Sequence, residues 1–130
     1  MMSKKSKSES KPIRFTVDGH TISKSNSYRI AGSRMYKTKM CAQWERVVSG
    51  IASMAPDCPQ EPSSGSIYIE ARFYFQDGRR RDIDGPLKSL LDAMNGVIYN
   101  DDSQIVKLVV EKFIDRQNPR TEVEIIILED

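Results

Sequence analysis

The strongest constraint on the fold is a short apolar helix pattern framed by two strand patterns between residues 66 and 113. Residues 66–75 alternate in polarity and are rich in Ile, Tyr and Phe, which is typical of a β-strand. Ile105 to Phe113 is apolar on both faces, which predicts a second strand in the centre of a sheet. Between them, apolar residues recur at positions i, i+3, i+4 and i+7, which is the spacing of one face of a helix. These residues are Leu87, Leu90, Leu91 and Met94.

The ends of this helix have their own markers. Pro86 suits a first helical turn, where its missing N–H costs nothing, so Asp84 or Gly85 is the expected N-cap. Asn95-Gly96 is expected to end the helix. If the two flanking strands are neighbours, the turn that carries Asp101 and Asp102 is predicted to lie near the start of the helix.

The rest of the chain completes an α/β pattern. Ile13 to Val17 is a predicted first strand, Lys39 to Met54 an amphipathic helix, and Glu122 to Leu128 a last strand that closes the sheet. Trp44 is assigned to the core or to a dimer interface. The segment from Ser23 to Tyr36 is expected to be a loop. We therefore predict one α/β domain over residues 12–130, a mixed β-sheet with two helices packed on it, preceded by a disordered basic tail over residues 1–11.

Several classes of protein are excluded by composition. No run approaches the roughly 20 apolar residues of a membrane span, and the polar, lysine-rich start predicts no secretion signal. Cys41 and Cys58 lack the spacing of a metal site, so free thiols in a reducing cytoplasm are expected, with a disulfide as the minor alternative. His20 lies in a predicted surface turn. These features indicate a cytoplasmic protein without membrane association.

Charge is distributed unevenly around a net value of +2. Residues 24–39 contain five basic side chains and no acid, whereas residues 101–130 contain eight acids and four bases. A basic face combined with an acidic site is expected of a metal-dependent nuclease. Basic side chains in the loop can contact phosphates, and Tyr28 or Tyr36 can stack on exposed bases or pack at the sheet edge. The predicted DNA contacts are Lys24, Asn26, Tyr28, Arg29, Arg34, Arg79, Arg80 and Arg81.

Carboxylates are concentrated around the short helix, where like charges need a shared positive partner. Oxygen-rich clusters without histidine suit Mg²⁺, with Mn²⁺ as a possible substitute. We select Asp82, Asp84 and Asp102 as metal ligands for phosphodiester cleavage. Lys88 is expected to neutralise charge at the reacting phosphate. Asp92 and Asp101 are supporting residues.

Each of these residues also has an ordinary structural role. Asp84 could be only an N-cap, Asp92 a surface partner of Lys88, and Asp101 and Asp102 turn residues. The corresponding alternative is a non-catalytic junction- or DNA-binding protein with an Asp84–Lys88–Asp92 salt-bridge network. An EF-hand is excluded because its further oxygen ligands and closing Glu are absent. A phosphatase with a nucleophilic Asp is disfavoured because three arginines, and no apolar strand, precede Asp82.

The run R-R-D-I-D, followed by Lys88, L-L-D-A and N-D-D-S-Q-I, resembles the RusA family of Holliday junction resolvases. Residues 25–29, S-N-S-Y-R, resemble a loop of the same family. The resemblance implies an Mg²⁺-dependent homodimeric endodeoxyribonuclease, of a family common in phages, that cuts four-way junctions by paired symmetric nicks. It implies that Asp82, Asp84 and Asp102 are catalytic metal-binding acids and Lys88 a catalytic lysine. Gly85 departs from the Asn frequent in the family, which removes a side-chain amide but no metal ligand.

Overall fold

The computed structural model describes residues 11–21, 28–31, 34–37 and 39–128. The predicted tail therefore lies outside the described residues except for Lys11. Within these ranges, six strands and two helices follow in the order β1, β2, β3, α1, β4, α2, β5, β6. Their bounds are β1 Ile13–Asp18, β2 Tyr28–Ala31, β3 Arg34–Lys37, α1 Lys39–Ser53, β4 Ser66–Phe75, α2 Asp84–Met94, β5 Ile105–Ile114 and β6 Arg120–Leu128.

Four of the strands form a mixed sheet in the order β1-β6-β4-β5. β6 pairs antiparallel with both β1 and β4, whereas β4 and β5 are parallel and are joined through α2. The predicted α/β class, a mixed sheet with two helices, is confirmed. Two predicted positions are wrong, because β5 lies at an edge of this sheet and β6, predicted to close it, lies inside it.

The core lies between one face of the sheet and the two helices. Alternate residues of β1, β4 and β6 are buried, because successive side chains of a strand point to opposite faces. Trp44 and Val48 of α1 and Leu90 and Met94 of α2 belong to the same buried cluster. The core assignment of Trp44 is thus confirmed. Its indole Nε1 is buried without a hydrogen-bond partner among the described residues.

The segment predicted as a loop from Ser23 to Tyr36 is partly a hairpin. β2 and β3 pair antiparallel, with Tyr28 opposite Lys37 and Ala31 opposite Arg34. The loop prediction is wrong for these two strands, because strands of four residues are too short to show a clear alternating pattern in the sequence. Residues 22–27 lie outside the described part of the chain.

The sheet face opposite the helices carries an ionic network centred on Arg120. Its guanidinium donates to Asp115 Oδ2 and to Glu122 Oε2, each at 2.8 Å, and lies 3.8 Å from the centre of the Tyr74 ring. Glu122 also accepts a hydrogen bond from Arg72 at 3.1 Å. Hydrogen bonds from Arg120 hold the pKa of Asp115 and of Glu122 below their usual values.

This network predicts a defined response to acid. Both folded-state pKa values lie below the unfolded ones, so the stabilisation is present above about pH 4 and is lost as the pH falls through the folded values. We expect Arg120→Ala to lower Tm by roughly 3–5 °C at pH 7 and by clearly less at pH 3. Thermal unfolding at both values measures this. Arg116→Ala, which removes an exposed arginine of the same turn, should leave Tm unchanged at both.

Candidate active site

Two carboxylates stand at the start of α2. The helix begins at Asp84 itself, and Ile83 occupies the N-cap position without a side-chain cap hydrogen bond. The predicted N-cap role of Asp84 is therefore wrong, and its carboxylate is not used for capping. Asp82 and Asp84 are both exposed, and neither makes an ion pair or side-chain hydrogen bond with another described residue. Their charges are available to a ligand.

Lys88 lies one helical turn after Asp84 and is exposed. It makes no ion pair with any residue in the described ranges. The Asp84–Lys88–Asp92 salt-bridge network that the alternative interpretation required is consequently not formed in this part of the chain. Lys88 instead presents a free ammonium group beside the two carboxylates.

A second acidic group surrounds Tyr99, beyond the end of α2. The Tyr99 hydroxyl donates to the Leu91 carbonyl at 2.9 Å. Burial raises the pKa of Tyr99 well above its usual value, and the nearby charges of Asp102, Asp92 and Asp101 raise it further. The charges of these three carboxylates therefore act on the same buried hydroxyl, and the supporting role of Asp92 and Asp101 stays a prediction.

Asp101 has a local structural role in addition. It is the N-cap of a short 3₁₀ helix, Asp102–Gln104, and its side chain accepts a hydrogen bond from the Ser103 N–H at 2.9 Å. Hydrogen bonds from Ser103 hold the pKa of Asp101 below its usual value. Asp102 is the first residue of the 3₁₀ helix and is half-buried. The turn-residue interpretation thus applies to Asp101.

Gln104 fixes this turn through four hydrogen bonds, a role that sequence reasoning missed. Its Oε1 accepts from the N–H groups of Asn100 and Asp101, each at 2.9 Å. Its Nε2 donates to the carbonyls of Ser63 at 2.8 Å and Gly65 at 2.9 Å. The reciprocal bonds between Asp101 and Gln104 form a capping box, which the spacing D-x-x-Q could have indicated.

We expect Gln104→Ala to destabilise the fold by about 2–3 kcal/mol, because four backbone groups lose their partner at once. The free energy of unfolding in urea measures this. Gln117→Ala is the matched control, since Gln117 is an exposed turn residue whose backbone N–H alone is bonded. Equal stability of the two variants would contradict the assigned role.

The two acidic groups lie near opposite ends of β5. Lys112, late in β5, donates to the Arg81 carbonyl at 2.6 Å, which places the start of α2 at that end. Asp102 instead precedes Ile105, the first residue of β5. The expectation that Asp102 lies near the start of the helix is wrong, although β4 and β5 are neighbours. Because the two strands are parallel, α2 must return along them and carry the chain back to the other end.

This separation bears directly on metal binding. The 11 residues of α2 span roughly 16 Å, which exceeds what carboxylates sharing one ion can bridge. No group of three or more acids, histidines or cysteines able to hold a metal ion occurs in the described ranges of this chain. Asp82, Asp84 and Asp102 of one copy therefore do not fit a common Mg²⁺ site.

The basic segment before α2 is organised by Asp77. Arg81 Nη1 lies 2.9 Å from Asp77 Oδ1, and the Arg81 guanidinium lies 4.7 Å from the centre of the Phe75 ring. The Arg79 N–H also donates to Asp77, and hydrogen bonds from Arg79 and Arg81 lower the pKa of Asp77. An Asp-Gly pair is typical of a turn, but the ion pairs of Asp77 with the arginines were not predicted from the sequence. Arg79 and Arg80 remain exposed, whereas Arg81 is half-buried by these contacts.

The other predicted DNA contacts are described only in part. Lys24 and Asn26 lie outside the described residues. Tyr28 and Arg29 belong to β2 and Arg34 to β3, and their backbones place them on the hairpin. Their contacts with DNA stay predictions.

Further sequence expectations are met. Cys41 and Cys58 do not form a disulfide, and Cys41 is buried. His20 is exposed. Neither of the helices in the described part of the chain is long and apolar enough to cross a membrane.

An α/β sheet that carries free carboxylates, a lysine and exposed arginines around one helix start has the features of a metal-dependent nuclease. The comparison with known families agrees: a family model described as Endodeoxyribonuclease RusA matches residues 18–126. The chain belongs to this family, which confirms the resemblance. The uncharacterized protein YqaN of Bacillus subtilis (strain 168) is 50% identical over 42 residues, which cover 32% of this chain and 29% of YqaN.

Proposed function

We propose that this protein is a structure-selective endodeoxyribonuclease that resolves four-way DNA junctions by paired symmetric nicks and requires Mg²⁺, which Mn²⁺ can replace. The observation that carries the proposal is the exposed, unpaired Asp82 and Asp84 at the start of α2, in a chain of the RusA family. Two neighbouring exposed carboxylates repel each other, and a divalent cation held between them would remove this repulsion.

Each side chain around α2 then has a defined task. Asp82 and Asp84 hold the divalent cation, which when bound supplies positive charge at the scissile phosphate. Lys88, one turn further along the helix, is placed to neutralise charge that develops on the phosphate or the leaving oxygen. Arg79 and Arg80 are exposed at the same end of the helix and can hold neighbouring phosphates.

The protein acts as a homodimer in this proposal, because a junction has two-fold symmetry and paired nicks need two sites. Within one chain, Asp102 is separated from Asp82 and Asp84. A dimer could bring these acids together across the two copies. We infer that the partner's Asp102 completes the carboxylate set of each copy, so that a single copy binds the cation weakly. Lys24, Asn26, Tyr28, Arg29 and Arg34 would contact the DNA arms.

The proposed compartment is the cytoplasm, where the two thiols would remain reduced. Cys41 is buried and close to Glu45, with its Sγ 3.5 Å from Oε2. An oxidising compartment would not stabilise this fold through a disulfide between the two cysteines, because they are not paired with each other.

Cleavage of defined substrates tests the function. Purified protein is incubated with a labelled four-way junction and with a linear duplex of matched sequence, with and without Mg²⁺. We expect symmetric nicks on the junction alone and only in the presence of the cation. Tight junction binding without cutting in Mg²⁺ or Mn²⁺ would favour the non-catalytic binding protein and would make Gly85 the first position to examine.

A further inference from the structure

Helix α1 has a second apolar face that the core does not use. Its inner face contributes the buried residues Cys41, Trp44, Glu45, Val48 and Ala52. On the outside, Met40 is 64% exposed, Val47 47% and Met54 84%. Met54 directly follows the helix and continues its last turn, because its N–H donates to the Gly50 carbonyl at 3.2 Å. These three exposed side chains are spaced seven residues apart, so they form one row roughly 21 Å long.

Two further exposed residues complete a helix-packing pattern. Gln43 and Gly50 lie between the three apolar residues, so the exposed positions follow one another at intervals of three, four, three and four residues. This is the spacing of a helix face that packs against a second helix. We call these five residues the outer seam of α1: Met40, Gln43, Val47, Gly50 and Met54. Since all five are exposed, no described part of the chain covers the seam.

Gly50 is an unusual residue for the interior of a helix. Glycine destabilises a helix relative to alanine, because it loses more backbone freedom on folding. A Cβ atom built at Gly50 would meet no described atom within 4 Å, so the fold of one chain does not require a glycine here. A missing side chain in the outer seam instead allows the backbone of a partner to approach α1 closely.

The exposed charges beside the outer seam are all positive. Lys39 and Arg46 are exposed, lie seven residues apart and each directly precede an apolar residue of the seam. Neither of them makes an ion pair with a described residue. Glu45, the one acid of α1, is buried on the inner face. The seam therefore has a basic border, which is complementary to an acidic partner.

Three other occupants fit these charges and side chains less well. A second copy packed antiparallel across Val47 would bring Arg46 of the two copies face to face, and like charges in contact are unfavourable. Residues 1–11 carry four lysines and one glutamate, so this end of the chain would be repelled. DNA phosphates would attract Lys39 and Arg46 but would give the apolar row of the seam nothing to pack against.

We propose that the outer seam of α1 docks an amphipathic helix of another protein, with apolar residues facing the seam and acidic residues facing Lys39 and Arg46. Methionine suits such a surface, because its flexible side chain adapts to different apolar partners. α1 contacts α2 on its other side, where the Ser49 hydroxyl donates to the Ala93 carbonyl at 2.6 Å. A docked helix therefore leaves the start of α2 uncovered, and the inference does not depend on the proposed nuclease activity.

Selection of peptides tests the chemistry of the partner. The full protein serves as bait for a phage-displayed library of helical peptides, with leucine fixed at the heptad positions and the flanking positions randomised. We expect the selected peptides to carry Asp or Glu at the flanking positions. Enrichment of basic or neutral flanks would overturn the proposal, and so would the same enrichment on a Val47→Glu bait.

A charge exchange tests the orientation of the docked helix. Fluorescence anisotropy measures the affinity of one selected peptide. We expect Arg46→Glu to weaken binding by roughly 10-fold or more, and a peptide with Lys in place of its flanking acids to restore binding to this variant. Arg116→Glu is the matched control, since it makes the same charge change at an exposed arginine outside the seam. Equal losses in the two variants would overturn the proposal.

Gly50→Ala is expected to change stability and binding in opposite directions. The new methyl group enters open space, so Tm should rise by roughly 2–4 °C. The same group holds the docked helix away from α1 and should weaken peptide binding by roughly 5-fold or more. A higher Tm with unchanged affinity would overturn the close packing across Gly50.

Val47→Ser distinguishes the other occupants. Peptide binding should be lost in this variant, whereas its sedimentation and its affinity for a four-way junction should match the wild type. A wild-type dimer that becomes a monomer in Val47→Ser would assign the outer seam to a second copy. Loss of junction binding would assign it to DNA, and either result would overturn the proposal.

Discussion

Replacing Asp84 by Asn is expected to abolish cutting of a four-way junction while leaving the fold and junction binding intact. The substitution keeps the shape of an exposed side chain at the helix start and removes the charge that a divalent cation needs. Since no described residue bonds this carboxylate, stability should change little. We expect the rate of cutting to fall on the order of 10²–10³-fold or more, as when a charge-stabilising group is lost from an active site.

Single-turnover cleavage of a labelled junction measures the rate, and a gel-shift assay without Mg²⁺ measures binding. Asp57→Asn is the matched control, because Asp57 is an exposed acid far along the chain from the site. Its φ of 68° is also one that Asn tolerates. Full activity of Asp84→Asn would refute the assignment of the metal site, whereas loss of binding together with cutting would indicate a damaged fold.

Mixed dimers of two inactive variants are expected to regain nicking. If the partner supplies Asp102, a dimer of one Asp84→Asn copy and one Asp102→Asn copy places both substitutions in the same site. The other site is then intact. We expect mixed dimers isolated with two different tags to nick at about half the wild-type rate and to produce no paired nicks. Each parent dimer should remain inactive.

The control for this experiment combines Asp84→Asn with Asp82→Asn. These two residues belong to the same end of α2, so each mixed dimer carries one substitution in each site and should stay inactive. Recovery in this control would mean that Asp82 and Asp84 of one copy serve two different sites, which would contradict the proposed arrangement. No recovery in the Asp84→Asn and Asp102→Asn pair would mean that both acids act within one copy, which would require α2 or the Asp102 turn to move when DNA binds.

The helices and most of the strands were predictable from the sequence, because the residue patterns that form them lie within short segments of the chain. The repeat of Leu87, Leu90, Leu91 and Met94 identified α2, and Asn95-Gly96 marked its end, where Gly96 adopts a φ of 81°. Asp82 and Asp84 were chosen as metal ligands from the sequence, and no described side chain bonds either of them, but their role as metal ligands stays a prediction. The hairpin of β2 and β3 was missed, because short strands rich in polar residues lack a clear alternating pattern.

The sequence by itself determined the family, the α/β class and the two helices, and it proposed the acid-lysine set as candidates, since each depends on residue type and spacing along the chain. Only the tertiary structure decided that β5 is an edge strand and that Asp102 lies at the opposite end of it from Asp84. Both depend on the order and direction of strands far apart in sequence, which local patterns do not encode. An apolar strand has the same pattern whether its neighbours come from its own chain or from a second copy.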